Sequence, residues 1–209
     1  MKKRSLKCFP DVSRETIKQL EDYVALVIKW NPVINLVAKG DVADIWSRHI
    51  EDSAQIVFLT DIGSLWVDVG SGGGFPGVVA AILLKATSPL TKVILVESDA
   101  RKAVFLRQVV LELDLNCEVQ NKRVEVVSVQ AVSIVSVRAV AALPKLLKLV
   151  EHLTEKNTVC LIMKGKNFSQ ELKLARDTWS FDCDVVQSKT SADGAILVIR
   201  NVYRAKKQT

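Results

Sequence analysis

The most informative residues of the sequence are the glycines that follow its first strand-like run, 65–69. Five of the chain's nine glycines fall within the eight positions 70–77. Glycine adopts positive φ without steric cost and lets a ligand approach the backbone closely. A glycine-rich turn between a strand and a helix is a usual site for a nucleotide-like ligand. The alternative is a merely tight strand-to-helix turn.

The residues of this loop narrow the class of ligand. Gly70 and Gly72 are followed by Phe75 where the dinucleotide pattern G-x-G-x-x-G requires glycine, and no Gly-Lys-Ser/Thr follows for a phosphate loop. Asp68 precedes the glycines, and a carboxylate suits a cationic or hydroxylated ligand better than a pyrophosphate. The pattern therefore favours S-adenosylmethionine as the cofactor.

A second carboxylate belongs to the same predicted site. Glu97 ends the strand-like run 92–97. A carboxylate at this strand end in a Rossmann fold accepts hydrogen bonds from both ribose hydroxyls of a nucleoside. We predict this role for Glu97; the alternatives are a solvated charge, or neighbouring Asp99 in the same role.

The elements that position these residues alternate along the chain, which indicates βαβ units and a mostly parallel, doubly wound α/β sheet. Short β-branched runs predict strands at 65–69, 92–97, 117–120, 132–137 and 158–163. Amphipathic stretches predict helices at 77–85, 100–114, 143–153 and 168–178. Two further strand-like runs, 181–187 and 195–202, are too close in sequence for a crossover helix, so they predict an antiparallel C-terminal hairpin at the sheet edge.

The first sixty residues predict a small helical segment instead. Apolar residues recur at helical spacing over 17–28. Pro32 disfavours helical geometry at Asn31, so we expect the helix to end there, followed by a loop to residue 40 and a second helix near 41–58. We expect residues 1–60 to form a helical cap and residues 61–209 one compact Rossmann-like domain.

Composition sets the broad class of the protein. The chain has 209 residues, of which 49% are hydrophobic and 25% charged, as in an ordinary globular protein. The 29 Lys and Arg residues exceed the 23 Asp and Glu residues, and the net charge of +6 favours a polyanionic partner, although it also suits many ordinary enzymes. No apolar run reaches the roughly 18 residues of a membrane span, so no membrane association is expected.

The cysteine pattern predicts a reducing, cytoplasmic location. Cys8, Cys117, Cys160 and Cys183 are widely spaced, with no CxxC pair, and the chain has only two histidines. This pattern predicts reduced thiols and no metal site.

Several separate segments resemble the bacterial small-subunit rRNA guanine-N7 methyltransferase family, called RsmG or GidB. The glycine loop at 68–77 matches that family's D-V-G-S-G-x-G-x-P-G in full. The other matching segments are N-x-x-x-N-L at 31–36, R-H-x-x-D-S at 48–53, the basic helix at 101–107, R-V-E at 123–125, R-A at 138–139 and M-K-G at 163–165. Order and spacing agree from about residue 20 to 200.

The resemblance implies a class I methyltransferase that moves the methyl group of S-adenosylmethionine to N7 of one guanosine in the decoding-region loop of 16S rRNA. It places cofactor contacts on Gly70, Phe75, Val124, Glu125 and Arg138. Guanine N7 is a neutral acceptor with an in-plane lone pair, so its attack needs positioning and desolvation and no general base.

Further roles fall on residues near the predicted cleft. Arg138, at the end of the fourth strand, is expected to bind the cofactor carboxylate or a target phosphate bidentately. Asn35 belongs to the helical cap, as do Arg48, His49 and Asp52, which share one helix face and can form a hydrogen-bonded cluster or supply a partner for the flipped guanine. Lys164, with Lys166, is expected to meet RNA phosphates; the alternative is a solubilising charge.

The expected partner is 16S rRNA within the 30S particle, bound by a monomer. The basic inventory for RNA is Lys2, Lys3, Arg4, Lys7, Arg101, Lys102, Arg107, Lys122, Arg123, Lys145, Lys148, Arg200, Arg204, Lys206 and Lys207. Two rival functions stay open: a methyltransferase for a small molecule or a protein, and a cofactor-binding but catalytically idle assembly factor.

Overall fold

The structure is a computed structural model that describes residues 5, 6, 9 and 11–205. Some residues named above lie outside the described residues: Cys8 and the basic residues Lys2, Lys3, Arg4, Lys7, Lys206 and Lys207.

One sheet of seven strands runs through the described part of the chain in the order β3-β2-β1-β4-β5-β7-β6. The strands are β1 (Leu65–Val69), β2 (Lys92–Val96), β3 (Cys117–Gln120), β4 (Ile134–Arg138), β5 (Val159–Lys164), β6 (Trp179–Gln187) and β7 (Ala195–Arg204). β1 to β5 pair in parallel, and β7 pairs antiparallel with both β5 and β6. The predicted parallel sheet and C-terminal hairpin are therefore confirmed.

The structure decides the order of the two hairpin strands within the sheet. β7 lies between β5 and β6, so the edge strand is β6, which runs in the same direction as β1 to β5. The physical reason is burial: residues 195–199 of β7 are all buried, whereas in β6 only Trp179 and Phe181 are buried. The continuously apolar first half of β7 needs a neighbouring strand on each side, whereas the more polar β6 can occupy the edge of the sheet.

The sheet is covered on both faces, because alternate residues of each buried strand enter different hydrophobic clusters. Trp66, Leu95 and Ile134 face the cluster formed with α3 (Gly77–Thr87) and α4 (Ala100–Glu112). Their strand neighbours face the opposite cluster, formed with α5 (Leu143–Val150) and α6 (Phe168–Arg176). Side chains alternate between the two faces of each strand, and helices cover both faces of the sheet. These two features together give the doubly wound arrangement.

Helix α1 spans Arg14–Ile34, with the side chain of Ser13 as its N-cap. Its end lies two residues beyond Pro32, near which it was predicted. Proline removes one hydrogen bond, to the carbonyl group of Ile28, and Ile28 is 45% exposed, so water can satisfy that carbonyl. The helix continues for two residues and ends where Asn35 adopts the left-handed conformation, with its N–H bonded to the Asn31 carbonyl oxygen.

The second predicted helix, 41–58, begins later than expected. A 3-10 turn at Lys39–Asp41 is followed by a continuous helical segment from residue 46 to 58, which contains a π turn (Trp46–Glu51), the single α turn α2 (Asp52–Ala54) and a 3-10 turn (Gln55–Phe58). We call this the 46–58 segment. Together with α1 it packs on α3, and both share the hydrophobic cluster of that sheet face.

Among the described residues, no helix is both long and apolar enough to cross a membrane.

Candidate active site

The predicted site residues gather at one edge of the sheet. Because β1, β2, β4 and β5 are parallel, their carboxyl ends meet at the same edge, which is where open α/β sheets bind ligands. The glycine loop follows β1, Glu97 follows β2, Arg138 ends β4 and Lys164 ends β5. The sheet order therefore assembles these groups around one cleft.

The glycine loop uses the conformations that its composition predicts. Gly70, Gly72 and Gly74 have φ values of +69°, +58° and +96°, which confirms the predicted need for positive φ. Other glycines allow close approach: a Cβ on Gly73 would lie 3.0 Å from the Leu36 carbonyl oxygen, and a Cβ on Gly77 would lie 2.5 Å from Asp68 Oδ2.

Most amide groups of the loop are already hydrogen-bonded within the protein. The N–H groups of Gly70 and Ser71 both donate to the Val96 carbonyl oxygen, at 2.9 and 3.0 Å, and the N–H groups of Gly74 and Phe75 donate to the carbonyl oxygen of Ser71. A loop that binds phosphate points its N–H groups at the anion. This loop is therefore unsuited to a pyrophosphate, in agreement with its departure from the dinucleotide pattern.

Glu97 is the acidic group beside this loop, and it is 7% exposed. Its Oε2 accepts a hydrogen bond of 2.8 Å from Gly72 N–H, and its Oε1 accepts one of 2.7 Å from Asp99 N–H. A carboxylate has about four lone-pair sites, so each oxygen keeps capacity for a further donor. Asp99 itself caps α4 through the N–H groups of Arg101 and Lys102, so it has a structural partner of its own.

Asp68 does not enter the cleft, contrary to the prediction. The side chain is fully buried on the sheet face that packs against α3. Trp66 Nε1–H donates to Ser136 Oγ at 2.8 Å, and the Ser136 hydroxyl donates to Asp68 Oδ1 at 2.6 Å. Burial raises the pKa of Asp68, and the bond from Ser136 opposes that rise. Residues alternate between the faces of a strand, which places this carboxylate under α3 and away from the ligand side.

Arg138 is the most connected group of the cleft. Its Nη2 donates to His49 Nδ1 at 2.8 Å, and its Nη1 lies 3.5 Å from Asp52 Oδ2. The guanidinium also lies over the ring of Phe75, at 5.2 Å from the ring centroid. Burial lowers the pKa of Arg138, and the charge of Asp52 opposes that shift. The structure thus links the end of β4 to the 46–58 segment and to the glycine loop.

Ala139, the residue after Arg138, has an unusual backbone conformation. Ala139 has φ = +55°, a left-handed conformation that costs a residue with a side chain roughly 1–2 kcal/mol. Strain of this kind persists where the surrounding structure holds it in place, and it concentrates at functional sites. The chain turns sharply here, at the end of β4 and beside the cleft.

His49 is held as a neutral imidazole with a defined tautomer. Because Arg138 donates to Nδ1, the ring proton belongs on Nε2, which lies 3.3 Å from Asp41 Oδ2. Burial and the positive charge of Arg138 both lower the pKa of His49. The ring also packs 4.9 Å from the ring of Phe75, centroid to centroid. The cluster predicted from R-H-x-x-D-S therefore forms around Arg138.

Arg48 has a different partner from the one predicted. Its Nη1 lies 2.6 Å from Asp41 Oδ1, and its side chain is 62% exposed, so it does not join Asp52. The turn that contains it is a π turn, whose wider spacing changes which residues share a face. Arg48 contributes only its backbone carbonyl oxygen to Arg138, at 3.5 Å.

The side chain of Asp52 is held in place by the loop between β6 and β7. Its Oδ1 accepts hydrogen bonds from Thr190 Oγ1 at 2.6 Å and from Gln55 Nε2 at 2.9 Å. The Gln55 side chain in turn contacts the β6–β7 loop, where its Oε1 accepts the Lys189 N–H at 2.9 Å. The tip of the hairpin therefore fixes the carboxylate that pairs with Arg138.

Asn35 lies in the loop that packs against the glycine loop. Its side chain is exposed and makes no hydrogen bond with residues 11–205. The adjoining Leu36 touches Gly73, and the Tyr23 hydroxyl of α1 donates to the Gly73 carbonyl oxygen at 2.5 Å. The cap is thus anchored directly on the loop. The structure places Asn35 beside this anchor.

The remaining predicted cofactor contacts flank the cleft. Val124 and Glu125 lie in a 3-10 turn, Val124–Val126, that follows β3. Val124 is half-buried, and Glu125 is exposed. Phe75 is 4% exposed and packs against the rings of Tyr23 and His49. Its ring lies beneath the Arg138 cluster.

Lys164 is paired within the protein. Its Nζ donates to the Ala141 carbonyl oxygen at 2.5 Å and lies 2.8 Å from Glu171 Oε2. Both side chains line a cavity of about 510 Å³ that also borders Arg138 and the β6–β7 loop. We call it the β4–β5 cavity. Lys166, two residues further on, is exposed.

The basic residues that were predicted to contact RNA lie in more than one part of the structure. Arg101, Lys102, Lys122 and Arg123 follow the carboxyl ends of β2 and β3 and therefore flank the cleft. Arg200 and Arg204 are paired with Asp184 and Glu151.

Several residues of the site carry no local sequence signal. Gln55 and Thr190 reach the cleft through contacts with residues far along the chain, whereas Asp41 and Glu171 contact the nearer residues Arg48 and Lys164. The Thr190–Asp52 bond spans 138 residues. Ser136 was visible in the sequence only as a serine within the apolar run of β4. Among the residues that the structure describes, no three His, Cys, Asp or Glu side chains are grouped so as to hold a metal ion.

The fold is shared with solved methyltransferases of low sequence identity. An S-adenosylmethionine-dependent methyltransferase from Aquifex aeolicus superposes with a TM-score of 0.57 at 17% identity, covering 78% of this chain and 94% of that one. A methyltransferase from Geobacter sulfurreducens gives 0.56 at 15% identity, covering 91% and 90%. Sheet order, glycine loop and the acid after β2 together define the Rossmann-like fold of class I methyltransferases.

Residues 16–201 match the family described as rRNA small subunit methyltransferase G, and the chain belongs to that family. A ribosomal RNA small subunit methyltransferase G from Ruegeria sp. (strain TM1040) is 41% identical over 194 residues, covering 93% of this chain and 95% of that protein. The protein of the same name from Cereibacter sphaeroides is 42% identical over 191 residues, covering 91% and 93%.

Proposed function

We propose that this protein transfers the methyl group of S-adenosylmethionine to N7 of one guanosine in the decoding-region loop of 16S rRNA, within the 30S particle. It would act as a monomer in the cytoplasm, where its cysteines stay reduced. The observation that carries the proposal is the position of Arg138, which the cap holds at the carboxyl end of β4 beside the glycine loop. Membership of the family supports the rRNA substrate.

The cleft fits the proposed cofactor by its donors and acceptors. Glu97 supplies a carboxylate for ribose hydroxyls, and Val124 and Glu125 supply an apolar wall and a carboxylate for an adenine edge. Gly70 exposes backbone beside the Val140 side chain, and the N–H of Gly72 already donates to Glu97. Such a set suits a nucleoside that carries an amino acid, and the occupied loop amides exclude a pyrophosphate.

The bound cofactor would supply an electrophilic methyl group on a sulfonium. The protein then has to orient guanine N7 in line with that methyl group and exclude water, because the neutral N7 lone pair needs no base. The lowered pKa of His49 and its contact with Arg138 leave it a neutral, fixed group. His49 therefore positions Arg138 and does not shuttle a proton.

Arg138 is the anion-binding group in this proposal. With Phe75 beneath it, the guanidinium presents a rigid fork to the cofactor carboxylate or to a phosphate of the target nucleotide. Asn35 and Lys164 would meet the RNA at opposite sides of the cleft. Asn35 would do so from the exposed loop beside Gly73, and Lys164 from the wall of the β4–β5 cavity.

The test is incubation with tritiated S-adenosylmethionine and 30S particles from a strain that lacks this gene, followed by nucleoside analysis of the 16S rRNA. Label in 7-methylguanosine supports the proposal. Label in a protein or a small molecule would replace it with another methyltransferase activity. Cofactor binding without any transfer would point to an idle assembly factor.

Arg138 is tested in the same assay. We expect Arg138→Ala to lower methyl transfer by about a hundredfold, as for loss of one preorganised donor. Arg138→Lys, which keeps the charge and loses the fork, should also be impaired. Arg14→Ala, on the exposed first turn of α1, is the matched control. Full activity of Arg138→Ala would remove the role assigned to this residue, and circular dichroism would verify that the variants are folded.

A further inference from the structure

The pair formed by Lys164 and Glu171 has unused hydrogen-bonding capacity inside the β4–β5 cavity. The Lys164 side chain is 9% exposed and that of Glu171 is 23% exposed. An ammonium group has three donors, and the structure assigns two of them, to the Ala141 carbonyl oxygen and to Glu171 Oε2. Glu171 Oε2 also accepts the N–H of Leu143 at 2.7 Å.

The other oxygen of this carboxylate is unassigned. Oε1 of Glu171 accepts no hydrogen bond from residues 11–205. Glu171 therefore presents an acceptor, and Lys164 presents a donor, side by side on a cavity wall.

The cavity has the size and place of a ligand site. Its volume of about 510 Å³ lies within the range of small-molecule pockets, roughly 300–1,000 Å³. It opens at the carboxyl ends of β4 and β5 and extends from Arg138 to Lys164 and Glu171. A single nucleobase with its ribose fits this space, next to the cleft assigned to the cofactor.

We propose that the Lys164–Glu171 pair recognises the Watson–Crick edge of the target guanine; this inference rests on the function proposed above. Guanine presents one acceptor, O6, followed by two donors, N1–H and the 2-amino group, and enzymes that act on a flipped base read this edge. Lys164 donates to O6, and Glu171 accepts from N1–H and the 2-amino group.

The same pair excludes adenine. Adenine presents a 6-amino donor where guanine has O6, and an N1 lone pair where guanine has N1–H. Its edge therefore faces the ammonium with a donor and the carboxylate with a lone pair. A site built for one hydrogen-bonding pattern rejects the opposite pattern strongly, because its buried polar groups are left unpaired. N7 lies on the other ring of the purine and stays free for methylation.

The experiment titrates the full-length protein, saturated with S-adenosylhomocysteine, with GMP, IMP or AMP and follows binding by protein NMR. We expect GMP to bind more tightly than IMP, which lacks the 2-amino group, and AMP to bind most weakly. Glu171→Gln keeps an acceptor for the Leu143 N–H but turns half of the carboxylate into a donor. This variant should lose about tenfold or more in GMP affinity and most of the preference for GMP over IMP.

Asp177→Asn, at the C-cap of the same helix, is the matched control and should bind all three nucleotides as the wild type does. Thermal melting of Glu171→Gln checks that the bond from the Leu143 N–H, at the start of α5, is kept. The inference is overturned if GMP and AMP bind equally, if Glu171→Gln keeps the wild-type preference, or if no nucleotide binds in the millimolar range. Methyl transfer is measured separately, so a failure of the proposed activity would leave the base preference still visible.

Discussion

Replacing Ser136 by alanine tests the buried network beneath the site. The hydroxyl group accepts a hydrogen bond from Trp66 Nε1–H and donates one to Asp68 Oδ1. All three side chains are fully buried, so water cannot replace the lost partner. Each stranded polar group costs roughly 1–3 kcal/mol. We therefore expect Ser136→Ala to lower the free energy of unfolding by roughly 3 kcal/mol, within a range of about 2 to 6.

The same variant should change the pH dependence of stability. Burial raises the pKa of Asp68, and the Ser136 bond opposes that rise, so its loss raises the pKa further. A carboxyl group whose folded-state pKa is raised keeps its proton longer in the native state. Its contribution to stability is present below the unfolded-state pKa and is lost as pH rises through the folded-state pKa. The stability deficit of the variant should therefore be larger at pH 8 than at pH 5.

Guanidinium denaturation at both pH values measures the effect. For a chain of this length, a loss of 3 kcal/mol lowers Tm by about 6–12 °C. Ser180→Ala, in β6, is the control, because its hydroxyl makes no hydrogen bond with residues 11–205, and we expect a change within about 0.5 kcal/mol. A deficit below about 1 kcal/mol, or one that is greater at pH 5 than at pH 8, would refute this account of the network.

Two further predictions follow from the site and the core. Thr190→Val should weaken methyl transfer by about tenfold, because Asp52 loses its shortest donor and no longer holds Arg138; Thr190→Ser should keep wild-type kinetics, and an impaired serine variant would contradict a role for the hydroxyl. Burial raises the pKa of Cys160 to about 12, so iodoacetamide at pH 8 should leave its peptide unlabelled until the protein is denatured. Mass spectrometry that finds Cys160 alkylated in the native protein at the rate of exposed thiols would show this reasoning to be wrong.

Much of the sheet was predictable from the sequence because its signals are local. The ranges of β1 and β3 match the predicted runs, and the other strands differ by a few residues at their ends. The left-handed conformations of the glycine loop follow from its composition. The end of α1 was predicted only to within two residues, because Pro32 removes a single backbone hydrogen bond and the helix continues past it to Ile34.

The site itself was predicted in part. Gly70, Glu97 and Arg138 follow strands that the sequence marks, so their meeting at one edge of the sheet could be anticipated. The direction of each side chain could not. Asp68 was expected in the cleft but lies under α3, since a shift of one position along a strand reverses the face. Arg48 was expected beside Asp52 but pairs with Asp41.

The sequence by itself determined the strands, the glycine loop and the family to which the chain belongs, because each depends on residues close together in the chain or on short motifs in order. Only the tertiary structure decided which polar groups meet. Arg138 reaches His49 across 89 residues and Thr190 reaches Asp52 across 138. Such pairs depend on strand order and on the docking of the cap, and these are set by burial of the whole apolar surface, which no local pattern encodes.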